Sequence, residues 1–409
     1  MSQFDSGWGS APSTNYEQLA ERFRPLFARI RQGAIERELQ RQLPFEQIEW
    51  LKQSGFTALR VPPEYGGSGV TLPELFNLLT ELAEADSNLV QSIRGHLGFV
   101  ENVLNGENGQ RREKWLPLLG RGDIVGPAWS EAGDVKQQEF STQVRRSGKQ
   151  WRLDGTKFYT TGSLYSDWID VGITDEKGET AAVTVSRTAD GVSVIDDWNG
   201  FGQTLTASGT AVFDNVLLTE DEIYSESKFR YAPGFYQLIH LATLAGIGRA
   251  QSNELAGQVA ARKRTYSIGN GPRVAQDPQI LQVVGRVRGA AYASGAIVLK
   301  SAEALQRAFD ARFAGDEQQE VQVNAIAELE VSQSLNVVSD LILNATTIIF
   351  DALGASATLK PLALDRFWRN ARTLSSHNPR IYKDRIVGDF AVNGTLPPAQ
   401  WRIGVVDKG

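Results

Sequence analysis

The stretch STQVRRSGKQWRLDGTKFYTTG (residues 141–162) indicates the fold class, because its spacing of apolar residues differs from that of the sequence on either side. Apolar and polar residues alternate along it, and the turn sequences SGK and DG interrupt it. This pattern is typical of antiparallel strands joined by hairpins. The alternation continues through WIDVGITDEKGETAAVTVSR (168–187), GVSVIDDW (191–198) and SGTAVFDNVLL (208–218). The sequence therefore predicts a middle antiparallel β domain, to which we assign residues 125–232.

Helical periodicity flanks this β segment on both sides. Before it, EQLAERFRPLFARIRQGAIE (17–36) and LPELFNLLTELAEAD (72–86) repeat apolar residues at three- and four-residue spacing. After it, three longer stretches keep the same spacing, and helices of such length usually pack in an antiparallel bundle. They are residues 235–266, 277–313 and 320–354. The predicted remaining units are a loose tail (1–13), an N-terminal α-helical domain (14–124) and a C-terminal four-helix bundle (233–409).

Composition excludes several classes of function. The 409 residues carry a net charge of −6 and their basic residues are scattered, so nucleic-acid binding is not expected. The most apolar run, LILNATTIIFDALGA (341–355), is too short and too polar to span a bilayer, and the N-terminus does not resemble a secretory signal. With three isolated histidines and no cysteine, no metal site is expected. We therefore predict a cytoplasmic protein that binds neither membrane nor nucleic acid.

Sulfur is almost absent from this chain, since it has no cysteine and its only methionine is Met1. Chance and the avoidance of oxidation are two explanations. A third is that the protein is made when sulfur is scarce. That explanation bears on the substrate, because a protein made under sulfur limitation is expected to act in sulfur acquisition.

Four segments resemble motifs of the acyl-CoA dehydrogenase superfamily, in the same order along the chain. They are LRVPPEYGGSGV (59–70), GPAWSEAGDV (126–135), RLDGTKFYTTGSLYSDW (152–168) and DALGASATLKPLALDRFWRNARTL (351–374). The resemblance spans nearly the whole chain. It implies the acyl-CoA dehydrogenase fold, with an N-terminal α-helical domain, a middle antiparallel β domain and a C-terminal four-helix bundle. It also implies a homotetramer whose flavin sites are shared between subunits.

The resemblance also implies which residues hold the flavin. An aromatic wall and hydroxyl donors at the strand ends suit the flavin ring. In the resembling family, the region of RKR (262–264) reaches the phosphate of a flavin held by the neighbouring subunit. The predicted cofactor-binding residues are Trp129, Ser130, Tyr159, Thr160, Thr161, Arg262, Arg264 and Ser376. Without the resemblance, the same residues are ordinary strand threonines, a core aromatic and a solvated charge cluster.

The general base of the acyl-CoA dehydrogenases is missing from this sequence. In most members a glutamate after the RDAR motif removes a proton next to the thioester carbonyl. Here that place reads SSHNP (375–379), and no acidic residue lies between Asp365 and Asp384. Other members carry the base on the helix after the β domain, but residues 227–253 also contain no Asp or Glu. Because proton abstraction needs a positioned base, we do not expect dehydrogenation.

RNARTLSSHNP (369–379) is similar instead to the reduced-flavin monooxygenases of this fold, a branch that includes dibenzothiophene and methanesulfinate monooxygenases. The resemblance implies a two-component monooxygenase that takes reduced FMN from a separate NAD(P)H-dependent FMN reductase. With O2 it would oxygenate an organosulfur compound, either a small sulfinate or sulfone such as methanesulfinate, or a thiophene. Pro127 and Leu374 depart from the dibenzothiophene enzymes, which leaves the substrate open.

His377 is the main catalytic candidate. Asn378 and Pro379 suit the N-cap and first position of a following helix. His377 would then lie at a helix N-terminus, where the dipole disfavours a charged imidazole. We therefore predict that a neutral His377 transfers protons during oxygen transfer. The alternative is a histidine that only caps the helix.

Two further residues complete the predicted catalytic set. His96, in QSIRGHLGFVE (91–101), lies on a helix that lines the substrate side in this fold, although a satisfied core histidine is its alternative. Thr160, at the strand end, is the other. The third histidine, His240, is expected to be structural.

Three other functions remain open from the sequence. The same oxygenase chemistry would serve an FMNH2-dependent N-hydroxylase or aromatic hydroxylase. An FAD-dependent acyl-CoA dehydrogenase with an atypical base would be reduced by an acyl-CoA without oxygen. A flavin-fold protein without catalytic activity would give no flavin-dependent product.

Overall fold

The computed structural model describes residues 7–107, 109–131, 140–148, 150–225 and 228–399. Residues 1–6 of the predicted tail and residues 132–135 of the second motif lie outside the described residues.

The described chain begins with a helical part. Its helices are α1 (Tyr16–Glu21), α2 (Arg24–Gln32), α3 (Ala34–Gln40), α4 (Phe45–Gln53), α5 (Leu72–Ala85), α6 (Ser87–Ser92), α7 (Arg94–Asn105) and α8 (Gly109–Gly120). α5 is central to this part, and its start is fixed by a capping box. The Thr71 hydroxyl accepts a hydrogen bond from the Glu74 N–H, and the Glu74 carboxylate accepts one from the Thr71 N–H. Most of the apolar residues of α5 are buried.

A single sheet follows. Its strands are β1 (Val125–Ala128), β2 (Gln143–Ser147), β3 (Gln150–Lys157), β4 (Trp168–Thr174), β5 (Thr180–Ser186), β6 (Val192–Ile195), β7 (Thr210–Leu218) and β8 (Ile223–Tyr224). The strand order is β6-β7-β3-β2-β4-β5-β8, with β1 paired to β4. Most pairs are antiparallel, as predicted, but β1 and β2 each pair with β4 in parallel. Alternation along a strand reports which side is buried and says nothing about the direction of a distant partner, so these two pairings were not predicted.

The C-terminal part is helical again. It contains α9 (Ala232–Ala261), α10 (Pro278–Ala311), α11 (Glu317–Leu353), α12 (Asp365–Ser375) and α13 (Lys383–Asn393). The three long helices pack on one another, α12 and α13 pack on α11, and α5 also packs on α9 and α10. Small residues allow the close approach, since a side chain at Gly246 would clash with Ala83 of α5. The predicted order of helical part, β sheet and helical bundle is confirmed.

The domain limits 14–124, 125–232 and 233–409 remain our proposal. They agree with the element bounds, because Val125 opens the first strand and α9 begins at Ala232.

We expected no segment to be long and apolar enough to cross a membrane, and helix α11 is an exception. By length and composition alone it is long enough and apolar enough, and half of its most apolar stretch is buried inside the protein. It packs on α9 and α10 over much of its length. These contacts are those of a core helix in a bundle, which is apolar on several faces because several neighbours cover it.

Candidate active site

The candidate site lies where the ends of β1 and β3 meet. Ser130 and Phe158 form an isolated antiparallel bridge, and the Phe158 N–H donates to the Ser130 carbonyl at 2.9 Å. The bridge brings two predicted groups, Trp129 with Ser130 and residues 159–161, side by side. The structure therefore assembles the predicted strand-end residues into one surface.

The junction of α6 and α7 packs against this surface. Gly162 has a φ of +81°, and a side chain there would clash with the Ser92 carbonyl at the end of α6. A side chain at Gly95 would likewise clash with the ring of Pro127 on β1. Arg94, between Ser92 and Gly95, is therefore held next to the strand ends.

The predicted strand-end hydroxyls differ in what they can still donate. Thr160 is fully buried, and its hydroxyl donates to the Gly209 carbonyl at 3.0 Å. Its only side-chain proton is thus used within the sheet, so we do not carry its predicted catalytic role into the proposed site. The Thr161 hydroxyl lies 2.7 Å from that of Ser208 and is only partly buried. Tyr159 is 56% exposed, so Thr161 and Tyr159 are the groups that remain available to a bound molecule.

Trp129 is fixed by a carboxylate that the sequence analysis missed. Its indole N–H donates to Asp170 Oδ2 at 2.7 Å, and the Tyr224 hydroxyl donates to the other carboxylate oxygen. Burial raises the pKa of Asp170, although these two hydrogen bonds oppose the rise. The Lys228 amine lies 4.3 Å from the centroid of the indole ring. Trp129 is therefore an oriented aromatic surface with a cation next to it, and its contact with a flavin stays a prediction.

His377 does not stand alone, because its ring packs against that of His240 with centroids 4.5 Å apart. His240 is 1% exposed, and no described residue hydrogen-bonds to either of its ring nitrogens. Burial, and then the charge of Arg94, lower the pKa of His377 to about 3 and that of His240 well below its usual value. His377 is itself exposed, and we call the surface formed by Arg94, Trp129, Lys228 and His377 the cleft. Both imidazoles are neutral at physiological pH.

The prediction that Asn378 and Pro379 start a helix is wrong. A 3-10 turn spans Arg380–Tyr382, and α13 begins only at Lys383. Asn378 does not cap it, because its side-chain amide instead donates to Gln237 Oε1 on α9 at 2.8 Å. Its Oδ1 lies 3.4 Å from His377 Nδ1. The low pKa of His377 therefore comes from burial and Arg94 rather than from a helix dipole.

His96 is held entirely by backbone groups. It is fully buried, with Nε2 2.8 Å from the Thr57 carbonyl and Nδ1 accepting from the Val125 N–H at 3.3 Å. Burial lowers its pKa to about 4. Because both ring nitrogens are occupied, His96 links α7 to β1 and has no free atom for catalysis. We do not carry its predicted catalytic role into the proposed site.

The predicted phosphate ligands also differ from each other. Arg262 donates to the Leu353 carbonyl and to Ser356 Oγ, at the end of α11. Arg264 is exposed and forms no hydrogen bond or ion pair with any described residue. The Ser376 hydroxyl donates to the Arg372 carbonyl of its own helix and is exposed. Of the two arginines, Arg264 is thus the one free to reach an anion.

Two cavities lie away from these residues. One of about 260 Å³ is lined by α3, α5, α6, α9 and α12, and includes Glu38, Asp86 and Asn370. The other, of about 340 Å³, borders the glycine-rich loop at residues 66–69. Neither is lined by a predicted site residue. We assign the site by its chemistry, because neutral imidazoles and cations with displaced pKa values cluster around the open cleft.

A signal for the missed residues exists in the sequence. Gln237 and His240 interrupt the mostly apolar first half of α9 at a three-residue spacing, which places them on one face. Polar residues on a buried helix face require partners. The partners, Asn378 and His377, are far along the chain, so the spacing alone did not identify them.

Comparison with known families agrees with this architecture. The model of the acyl-CoA dehydrogenase N-terminal domain matches residues 13–123, and that of the acyl-CoA dehydrogenase C-terminal domain matches residues 238–379. The two matches together cover well over half of the chain. The chain belongs to the acyl-CoA dehydrogenase family, and the predicted fold class is confirmed.

Individual relatives are more specific. A dibenzothiophene monooxygenase from Rhodococcus qingshengii is 28% identical over 397 residues, covering 91% of this chain and 93% of the relative. A probable FMNH2-dependent monooxygenase from Pseudomonas putida is 24% identical over 384 residues, covering 91% and 94%. The solved structure of methanesulfinate monooxygenase from Pseudomonas fluorescens superposes with a TM-score of 0.84 at 25% identity, covering 93% of this chain and 98% of that one.

Proposed function

We propose that this protein is a two-component monooxygenase that uses reduced FMN and O2 to oxygenate an organosulfur compound. The observation that carries the proposal is the contact between two neutral imidazoles. His377 lies in the segment where most acyl-CoA dehydrogenases have their glutamate, and His240 lies on the helix that carries the base in other members. Similarity to proteins named as dibenzothiophene, FMNH2-dependent and methanesulfinate monooxygenases supports it.

The residues of the cleft fit a flavin. Thr161 and Ser130 offer polar groups to the ring edge, and Trp129 and Tyr159 offer aromatic surface. Arg264 is a free cation suited to the phosphate of a cofactor in a neighbouring subunit. When bound, reduced FMN supplies the two electrons needed to activate O2.

His377 moves the proton in this proposal. Its contact with Asn378 Oδ1 assigns the ring proton to Nδ1, which leaves Nε2 to accept a proton and return it. The lowered pKa keeps His377 neutral at physiological pH, so a proton taken up at Nε2 is passed on at once rather than held as an imidazolium. Asn378 is held in turn by Gln237, so the imidazole is oriented by a chain of side-chain hydrogen bonds from α9.

The cleft disfavours thioester dehydrogenation. Among the described residues, two carboxylates lie beside the strand ends, and both oxygens of each already accept hydrogen bonds. Those of Asp170 accept from Trp129 and Tyr224, and those of Glu131 accept from Lys157, Ser141 and Thr142. Carboxylates held in this way are committed to the fold, which disfavours their use as a base toward a substrate.

The proposal includes partners and location. A separate NAD(P)H-dependent FMN reductase would deliver the reduced flavin, in the cytoplasm. The large apolar side chains exposed on α10 and α11 support a homotetramer that buries these helices. They include Leu281, Tyr292, Val321 and Val337.

The test is turnover of the purified protein with reduced FMN, 18O2 and a panel of sulfinates, sulfones and thiophenes, with products read by mass. We expect one 18O atom in the product and none without reduced FMN. Two outcomes would contradict the proposal: anaerobic flavin reduction by an acyl-CoA, or oxygenation of only nitrogen or aromatic carbon acceptors in a parallel panel.

A further inference from the structure

Arg94 is a cation in the wall of the cleft that forms no ion pair with any residue the structure describes. Its Nε donates to the Tyr236 carbonyl at 3.3 Å, and its guanidinium carbon lies 4.7 Å from the centroid of the Tyr236 ring. These contacts orient the group but leave both terminal nitrogens without a partner among the described residues. Burial lowers the pKa of Arg94 to about 10. A guanidinium placed in this way is stabilised by an incoming anion.

The groups around Arg94 also favour the binding of an anion. Its charge reaches His377 and His240, and it repels Lys228, which lies over Trp129. The carboxylate that offsets Lys228 is Asp170, and that group is already hydrogen-bonded by Trp129 and Tyr224. The cleft therefore combines two cations with neutral imidazoles, a set of groups that favours one small anion.

The unpartnered nitrogens of His240 are an independent sign of a missing ligand. A buried polar atom without a hydrogen bond is costly, and native proteins keep few of them. His240 is 1% exposed and both of its nitrogens are unpartnered among the described residues, beside His377 and within reach of the Arg94 charge. An oxyanion bound in the cleft places hydrogen-bond acceptors near the His240 ring.

We propose that Arg94, assisted by Lys228, binds the anionic head group of the substrate, so that the enzyme oxygenates organic sulfinates in preference to neutral sulfones or thiophenes. This inference rests on the proposed function. In the reaction, one oxygen atom of O2 forms a bond to the sulfinate sulfur and gives a sulfonate. The other leaves as water with two hydrogens and two electrons from reduced FMN. The product keeps the negative charge, so Arg94 contacts an anion before and after oxygen transfer.

The test compares methanesulfinate with dimethyl sulfone, a neutral molecule of similar size. The wild-type protein and the variants Arg94→Met and Arg94→Lys are titrated with each compound by calorimetry, without flavin or oxygen. Arg121→Met is the matched control, because Arg121 is an exposed arginine 3.8 Å from Asp123 and away from the cleft. Melting temperatures and circular dichroism establish that each variant folds.

We expect the wild type to bind methanesulfinate and to bind dimethyl sulfone much more weakly. Arg94→Met should weaken methanesulfinate binding at least about 20-fold, which corresponds to one hydrogen bond to a charged group. Arg94→Lys should lie between, and Arg121→Met should match the wild type. Equal affinity in Arg94→Met and wild type, or a wild-type preference for the sulfone, overturns the proposal.

Turnover separates this inference from the function on which it rests. If methanesulfinate binds through Arg94 but reduced FMN and O2 give no sulfonate, the anion site stands and the monooxygenase proposal fails. If Arg94→Met forms sulfonate with an unchanged KM, the monooxygenase proposal stands and the role of Arg94 is refuted.

Discussion

His96 and His240 are equally buried, at 0% and 1% exposure, but their ring nitrogens have opposite surroundings. Both nitrogens of His96 meet backbone groups, the Thr57 carbonyl and the Val125 N–H. Neither nitrogen of His240 has a described partner, and the ring packs against His377 instead. The first arrangement joins three segments of backbone, and the second keeps unused polar atoms at a cleft.

His96 and His240 have similar burial and similarly lowered pKa values, so neither quantity separates a structural histidine from a functional one. Burial lowers the pKa of all three histidines in this chain. What distinguishes them is whether the fold has already used their hydrogen-bonding capacity, because an unused buried polar group costs stability and persists where function requires it. Variants of the three histidines test this distinction.

Replacing His377 with Phe should lower the rate of oxygenation by about 10²- to 10⁴-fold, the usual contribution of a positioned proton-transfer group. The ring contact with His240 is kept, so the fold and flavin binding should persist. The measurement is product formation at saturating reduced FMN, with flavin affinity as the control.

His377→Gln sharpens this test. Glutamine donates and accepts hydrogen bonds but cannot relay a proton from one side-chain atom to another. If His377 only orients groups, Gln should recover most of the activity lost in His377→Phe. A recovery of that kind would contradict the proton-transfer role.

His96→Leu should lower the free energy of unfolding by about 2–4 kcal/mol, because the Thr57 carbonyl and the Val125 N–H then lose their partner in the core. Activity per folded molecule should be unchanged. Denaturant unfolding measures the first quantity and turnover, corrected for the folded fraction, the second. If His96→Leu kept full stability but lost activity, His96 would be a functional residue rather than a structural one.

The order of elements was predictable from the sequence, and the partners of the site residues were not. Alternation at residues 141–162 and helical spacing on both sides report local burial, so they predicted the architecture. The grouping of site residues at the strand ends came instead from the family resemblance. The contact of His240 with His377 joins residues far apart on α9 and after α12, which no local period encodes. The same limit explains the missed helix start, because Asn378 suited an N-cap locally but Gln237 occupies its amide.

A pH dependence of stability should also distinguish His96. The folded protein keeps His96 neutral down to its pKa of about 4, whereas an ordinary histidine has a pKa of 6.5. Between these values the unfolded state binds more protons, so stability falls as the pH drops below about 6.5 and this loss ends below about 4. At pH 5 the loss from this group is about 2 kcal/mol.

The measurement for this prediction is the difference in unfolding free energy between wild type and His96→Leu at pH 7.5 and pH 5. The difference isolates His96 from other groups that titrate in this range. It should shrink by about 2 kcal/mol on acidification. A difference that is constant or grows would mean that His96 gains a proton in the fold.

The smallest effect is expected for His240→Leu, and it tests the other side of the comparison. Leucine removes two buried nitrogens that have no described partner, so stability should stay within about 1 kcal/mol of wild type or rise. Oxygenation should fall about 10-fold, because His377 loses the ring against which it is positioned. When the two variants are measured side by side, His96→Leu should therefore lose mainly stability, and His240→Leu should lose mainly activity. Equal destabilisation of the two variants would show that His240 is as fully used by the fold as His96, and the distinction between the two buried sites would then fail.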